Sequence, residues 1–107
     1  MKFDFSQLLL LDGGMGTMLQ RAGMKPGTLP ELVNLQQPRM VEDIHRAYVE
    51  AGSQVLMDNT FGCNALKLRG TGHRVQEVVL AAVGIARRAA GDRALVALDV
   101  GPLGQLL

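Results

Sequence analysis

Leu8-Leu9-Leu10-Leu11-Asp12-Gly13-Gly14, four leucines closed by an acid and two glycines, is the stretch on which the fold turns. The pattern returns twice. Val55-Leu56-Met57 runs into Asp58-Asn59-Thr60, and Ala94-Leu95-Val96-Ala97-Leu98 runs into Asp99-Val100-Gly101-Pro102. Continuous rather than alternating hydrophobicity marks a strand covered on both faces, as in parallel sheets. Four leucines alone fit a helix equally well, but run length and flanking glycines favour the strand.

The chain between these runs has helical spacing. Met40, Val41, Ile44, Ala47, Tyr48 and Ala51 share one stripe, with Pro38 suited to the first helical position and Gly52 to the left-handed residue past the end. His45 follows Ile44 and is assigned to the flank of that helix. Val75, Val78, Val79, Ala82, Val83 and Ala86 repeat the spacing, Arg87 and Arg88 put positive charge near the negative helix end, and Gly91 terminates it. Gly84 within it costs roughly 1 kcal/mol relative to alanine. Residues 23–38, rich in proline, read as a long connection crossing the sheet edge.

The order is therefore β-α-β-α-β. Such units pack as neighbouring parallel strands with right-handed crossovers, in an open doubly wound sheet or in part of a barrel. Three strands and two helices leave outer edges and apolar faces uncovered, so truncation or assembly with another chain is expected.

Composition narrows the function. With 107 residues, 48% of them hydrophobic, one domain with a core is the ceiling. A net charge of +1 gives no electrostatic footprint for nucleic acid or an anionic membrane. The lone cysteine, Cys63, cannot form an internal disulfide, and the acid in Met1-Lys2-Phe3-Asp4-Phe5 breaks any signal-peptide pattern. No apolar run approaches the ~20 residues of a membrane span. The expectation is a soluble, cytoplasmic protein.

All three runs end in an acid followed by turn-forming residues, and in a parallel sheet those ends share the rim where α/β folds place ligands. Gly13, Gly14 and Gly16 let the backbone turn sharply and approach a ligand, offering N–H groups to a carboxylate or phosphate, with Asp12 able to hold an ammonium. A tight strand-to-helix turn explains the same glycines equally well. Asn59 and Thr60 suit either substrate contacts or caps for the short Asn64-Ala65-Leu66-Lys67-Leu68 helix. A cation held by Asp12, Asp58 and Asp99 is the weaker reading, since acids are common turn formers. Cys63 reads as a packed side chain, neither His45 nor His73 as catalytic, and Met15, Met18, Met24, Met40 and Met57 as gap fillers.

Taken together, Leu11-Asp12-Gly13-Gly14-Met15-Gly16-Thr17, Glu31-Leu32-Val33-Asn34, Asn59-Thr60-Phe61-Gly62 with Asn64, and Gly101-Pro102 resemble the homocysteine S-methyltransferase family. The segment from 97 to 107 is most similar to the N-terminal module of the cobalamin-dependent methionine synthases. The resemblance implies an eight-stranded (β/α) barrel, of which this chain holds the first three parallel strands and intervening helices as one incomplete domain over 1–107. It also implies a zinc ion on three cysteines that binds homocysteine as thiolate, with the methyl group supplied by methylcobalamin on a separate module. Those cysteines are not in this chain, and Cys63 stands where relatives often carry alanine, so turnover by the fragment is not expected.

By the same resemblance Asp12 receives the homocysteine ammonium, the backbone at Gly13 and Gly14 meets its carboxylate, and Asn59 and Thr60 line the pocket. Asp58 and Leu103 depart from the pattern, each replacing a threonine, and the added carboxylate of Asp58 opposes an anionic substrate end. Two other readings remain open: a non-catalytic module that pairs its open strand edges with a second copy or another chain, and a small-anion binder on the glycine loop.

Overall fold

The structure, a computed structural model, describes residues 10–99. Leu8, Leu9, Leu103 and the Gly101-Pro102 motif lie outside the described residues. The order of elements is α1 (Met15–Arg21), a 3-10 turn (Pro30–Leu32) running into α2 (Val33–Gln36), α3 (Pro38–Glu50), β1 (Val55–Met57), α4 (Ala65–Leu68), α5 (Val75–Ala90) and β2 (Leu95–Ala97).

β1 and β2 pair in parallel, Val55 opposite Leu95 and Met57 opposite Ala97. Of the first predicted strand only Leu10 and Leu11 are described, and Leu11 forms a parallel bridge to Val55, so the described sheet has two strands and a bridge. Hydrogen bonds nonetheless set residues 10–12 beside β1: the Leu10 carbonyl accepts from Gln54 N–H at 2.7 Å, and Asp12 N–H donates to the Val55 carbonyl at 3.1 Å. Leu10 and Leu11 are 54% and 63% exposed, against the expectation of a buried strand. β1 covers one edge of residues 10–12, and no described strand pairs with the other.

Both long helices form where the spacing predicts them. Pro38 occupies the first turn of α3, where its missing N–H has no intrahelical role, and Gly52 adopts φ +110° just past the end. The buried face of α3 is Val41, Ile44, His45 and Val49, with Tyr48 half-buried. Ala47 and Ala51, assigned to that face from the sequence, are exposed. The stripe sits slightly around the helix from its predicted position, and His45 is fully buried instead of flanking. α5 buries Val78, Ala82, Ile85, Ala86 and Ala90, ends at Gly91 with φ +54°, and packs on α3. The Glu42 carboxylate joins the pair, accepting from Arg46 at 2.7 Å and Arg88 at 3.1 Å.

Residues 23–38 are more than a connection. Their 3-10 turn and α2 bury Glu31, Val33 and Asn34. Val33 joins Leu19, Val41, Ile44 and Ile85 in one core cluster, with Met15, Met18, Met24 and Met40 filling its margin as expected of flexible gap fillers. A second cluster of Val49, Leu56, Ala90 and Ala94 lies against the sheet. Among the described residues no helix is long and apolar enough to cross a membrane.

Candidate functional site

The C-terminal ends of residues 10–12, β1 and β2 open on one side, and Asp12, Asp58 and Asp99 border a single cavity of about 360 Å³. Gly13, Gly14 and Asn59 line it too. A larger hollow, about 570 Å³, lies along Val75, Val79 and Leu80 on α5. It is apolar, and none of the strand-end groups lines it.

Asp12 braces the rim. Its Oδ2 accepts from Met57 N–H at 3.0 Å, tying residues 10–12 to the end of β1. Burial raises its pKa, the Met57 N–H bond opposes the shift, and nearby Asp99 adds to it. The glycines after it act differently from the sharp turn expected: Gly13, Gly14 and Gly16 are not among the positive-φ glycines. Gly13 is required by close approach instead, because a Cβ there would lie 2.8 Å from the Tyr48 hydroxyl. That hydroxyl donates to the Gly14 carbonyl at 2.9 Å, so α3 clamps the loop.

The loop after β1 is a buried polar knot. Asp58 Oδ1 accepts from Asp99 N–H at 3.0 Å, bringing the ends of β1 and β2 together. The Thr60 hydroxyl lies 2.5 Å from Asp58 Oδ1 and 2.7 Å from the Asp99 carbonyl oxygen, and its one hydrogen serves one of them at a time. Thr60 is therefore turned inward, and it is not among the residues lining the cavity. Asn59 Nδ2 donates to the Pro30 carbonyl at 2.8 Å, and Asn34 Nδ2 donates to the carbonyls of Glu31 and Asn59, each at 2.8 Å. This exchange of amide bonds holds the 3-10 turn against the strand ends. Asn64, rather than Asn59 or Thr60, caps α4, its Oδ1 accepting from Lys67 N–H at 2.9 Å.

The sequence assigned no site role to Glu31, Asn34 or Tyr48, although the first two lie in a motif that carried the family resemblance and Tyr48 was placed on the apolar stripe of α3. Glu31 is 5% exposed and lines the cavity beside Asp12. Asp99 has its pKa raised by burial and by Asp58. Burial pushes the Cys63 thiol up to about 11, with Glu31 and Asp58 adding to the effect, so it is protonated at neutral pH and is a poor nucleophile or ligand. Among the described residues no group of three His, Cys, Asp or Glu side chains is placed to hold a metal ion. These residues do not fit the zinc ion that the resemblance implies.

Parallel β/α units with a ligand cavity at the carboxyl ends of the strands define the class of α/β barrels and open sheets. The chain belongs to the homocysteine S-methyltransferase family, whose profile matches residues 9–107. It is 34% identical over 94 residues to a methionine synthase of Mycobacterium tuberculosis, covering 80% of this chain and 8% of that protein. It is 38% identical over 68 residues to a methionine synthase of Mycobacterium leprae, covering 58% of this chain and 6% of that protein. Among solved structures, the metallated form of the homocysteine methyltransferase MmuM from Escherichia coli superposes with a TM-score of 0.81 at 25% identity, over 91% of this chain and 38% of that one. The chain thus spans well under half the length of these relatives.

Proposed function

We propose that this chain contributes the amino-acid end of a homocysteine pocket within a homocysteine S-methyltransferase barrel, and that alone it binds without turning over. The observation that carries the reading is the convergence of Asp12, Gly13, Gly14 and Asn59 on one cavity at the strand ends. Asp12 keeps an oxygen free for an ammonium while the other holds Met57 N–H. The amides of Gly13 and Gly14 face the substrate carboxylate, Asn59 fixes the wall, and Thr60 acts from behind it by holding Asp58 and Asp99 in place. In the intact family enzyme a zinc ion would bind the homocysteine sulfur as thiolate and methylcobalamin would supply the methyl group.

Titrating the 15N-labelled chain with homocysteine tests this. Amide shifts at Asp12, Gly13 and Gly14, with no response to inorganic phosphate, are expected. Phosphate binding at Gly13 and Gly14 without homocysteine binding would show a small-anion site instead. A second reading, pairing of the chain through the edge at residues 10–12, is favoured by the exposure of Leu10 and Leu11. Sedimentation equilibrium tests it: a monomer at high micromolar concentration removes it.

A further inference from the structure

Among the described residues α5 is covered on one flank and open on the other. On the covered flank Ile85 joins Val41 and Ile44 of α3 in one apolar cluster, and Arg88 Nε donates to the Glu42 carboxylate at 3.1 Å. α3 thus docks by an apolar stripe and an acid. At 3.6 residues per turn, Val79 lies roughly half a turn around the helix from Arg88. There the apolar arc runs on past the buried face: Val75, Val79 and Leu80 line the hollow of about 570 Å³, and Leu80 is 72% exposed. Arg74 and Gln76 complete the lining, and no acid is part of it. Arg74 has no ion pair among the described residues. The open flank therefore offers apolar surface and an unmatched positive charge, the counterparts of what α3 brings to the other side.

We propose that the open flank of α5 docks an amphipathic helix of a partner polypeptide, whose apolar stripe fills the hollow and whose carboxylate meets Arg74. A helix laid in a groove by apolar anchors three and four residues apart is a recurrent mode of recognition. Charge decides which helix fits. A second copy of this chain does not supply one: α5 itself carries Arg74, Arg87 and Arg88 against Glu77, and the exposed residues of α3 include Asp43, Arg46, Ala47 and Glu50 but no large apolar side chain. An anionic lipid surface is disfavoured by the net charge of +1. The inference is independent of the homocysteine reading, because none of the rim groups takes part.

The test is an amide-shift titration of the 15N-labelled 107-residue chain with a capped helical peptide of about 18 residues. The peptide is built on alanine and glutamine, with leucines three and four apart along one face and glutamates flanking them; a matched peptide has lysine in place of each glutamate. The glutamate peptide is expected to shift the amides of Val75, Gln76, Val79 and Leu80. The lysine peptide is expected to bind about fivefold more weakly, the scale of replacing an exposed attractive pair by a repulsive one. Arg74→Glu should reverse the order of the two peptides, and Leu80→Asp should abolish the shifts; both positions are exposed, so the core is untouched. Absence of α5 shifts with the glutamate peptide, equal affinity for the two peptides, or an unchanged order in Arg74→Glu overturns the proposal. Movement of the same amides on dilution of the labelled chain alone would make a second copy the occupant, and their broadening by phosphatidylglycerol vesicles a membrane; either result overturns it as well.

Discussion

His45 makes the fold sensitive to acid, and the size of the effect follows from its surroundings. The ring is fully buried, and neither nitrogen has a hydrogen-bond partner among the described residues. Burial pushes its pKa from 6.5 down to about 4, with Asp58 opposing the shift. The unfolded chain therefore takes up this proton near pH 6.5 and the folded chain only near pH 4. Between those values the unfolded state holds more protons, so stability is complete above about pH 6.5 and falls as the pH drops toward 4. At 1.36 kcal/mol per factor of ten in proton affinity, the loss attributable to His45 is about 3 kcal/mol. That is a large share of the roughly 5–15 kcal/mol that holds a domain together. Three carboxylates also have shifted pKa values. Asp12 and Asp99, with raised pKa values, favour the folded state on acidification, whereas Glu42, lowered by its bonds to Arg46 and Arg88, favours unfolding. They are common to the wild type and to His45→Leu, so the difference between the two isolates the histidine. Urea denaturation followed by circular dichroism at pH 7.5, 6.5, 5.5 and 4.5 measures it. His45→Leu is expected to equal or exceed the wild type at pH 7.5, because two unpaired buried nitrogens are removed, and to lack the 3 kcal/mol loss. An equal loss in both proteins, or a native His45 ring titrating near 6.5, would refute the reasoning.

Three further outcomes test the loop and its supports. Gly84→Ala is expected to raise stability by about 1 kcal/mol, since its Cβ would meet Arg88 Nη1 at an ordinary 3.7 Å and the helix gains alanine's propensity; an unchanged midpoint in thermal unfolding counts against this. Gly13→Ala is expected to cost about 1–2 kcal/mol by displacing the Tyr48 hydroxyl from the Gly14 carbonyl. Adding Tyr48→Phe should then cost less than it does alone, which a double-mutant cycle in urea reads directly. Asp12→Asn keeps an oxygen to accept Met57 N–H while losing the charge, so stability near that of the wild type with roughly tenfold weaker homocysteine binding is expected, and calorimetry with chemical denaturation separates the two.

What the sequence discloses follows from which interactions are local. The boundaries of α3 and α5 were legible because Pro38, Gly52 and Gly91 act through their own backbone angles, and the common rim of Asp12, Asp58 and Asp99 was legible because strand polarity puts like ends together. The burial of His45 was not legible. Polarity suggested the helix flank, but the face that packs was decided by the fit of α3 to α5 and to the 3-10 turn, which no spacing within α3 encodes. Glu31 was hidden for a similar reason. Its place in the cavity depends on Asn34 and Asn59, which meet across 25 residues of chain, and on the missing side chain of Gly62. Of the leucine run only Leu10 and Leu11 are described, and there the run's hydrophobicity did not foretell their exposure.

These supports explain how the rim can concentrate acids in a small sheet. Two of the carboxylates, those of Asp12 and Asp58, brace the strand ends. Asp12 binds Met57 N–H, Asp58 binds Asp99 N–H, and the Thr60 hydroxyl bridges the ends of β1 and β2. Backbone N–H groups at strand ends lack ladder partners, so carboxylates there satisfy donors that would otherwise be left open. The architecture therefore gathers negative charge at the carboxyl rim for reasons of stability first. Glu31 falls outside that logic: its backbone is pinned by the two asparagines, but its carboxylate contributes no hydrogen bond to a described residue. Structural need thus accounts for the carboxylates of Asp12 and Asp58, and the Asp99 carboxylate, like that of Glu31, holds no described backbone donor.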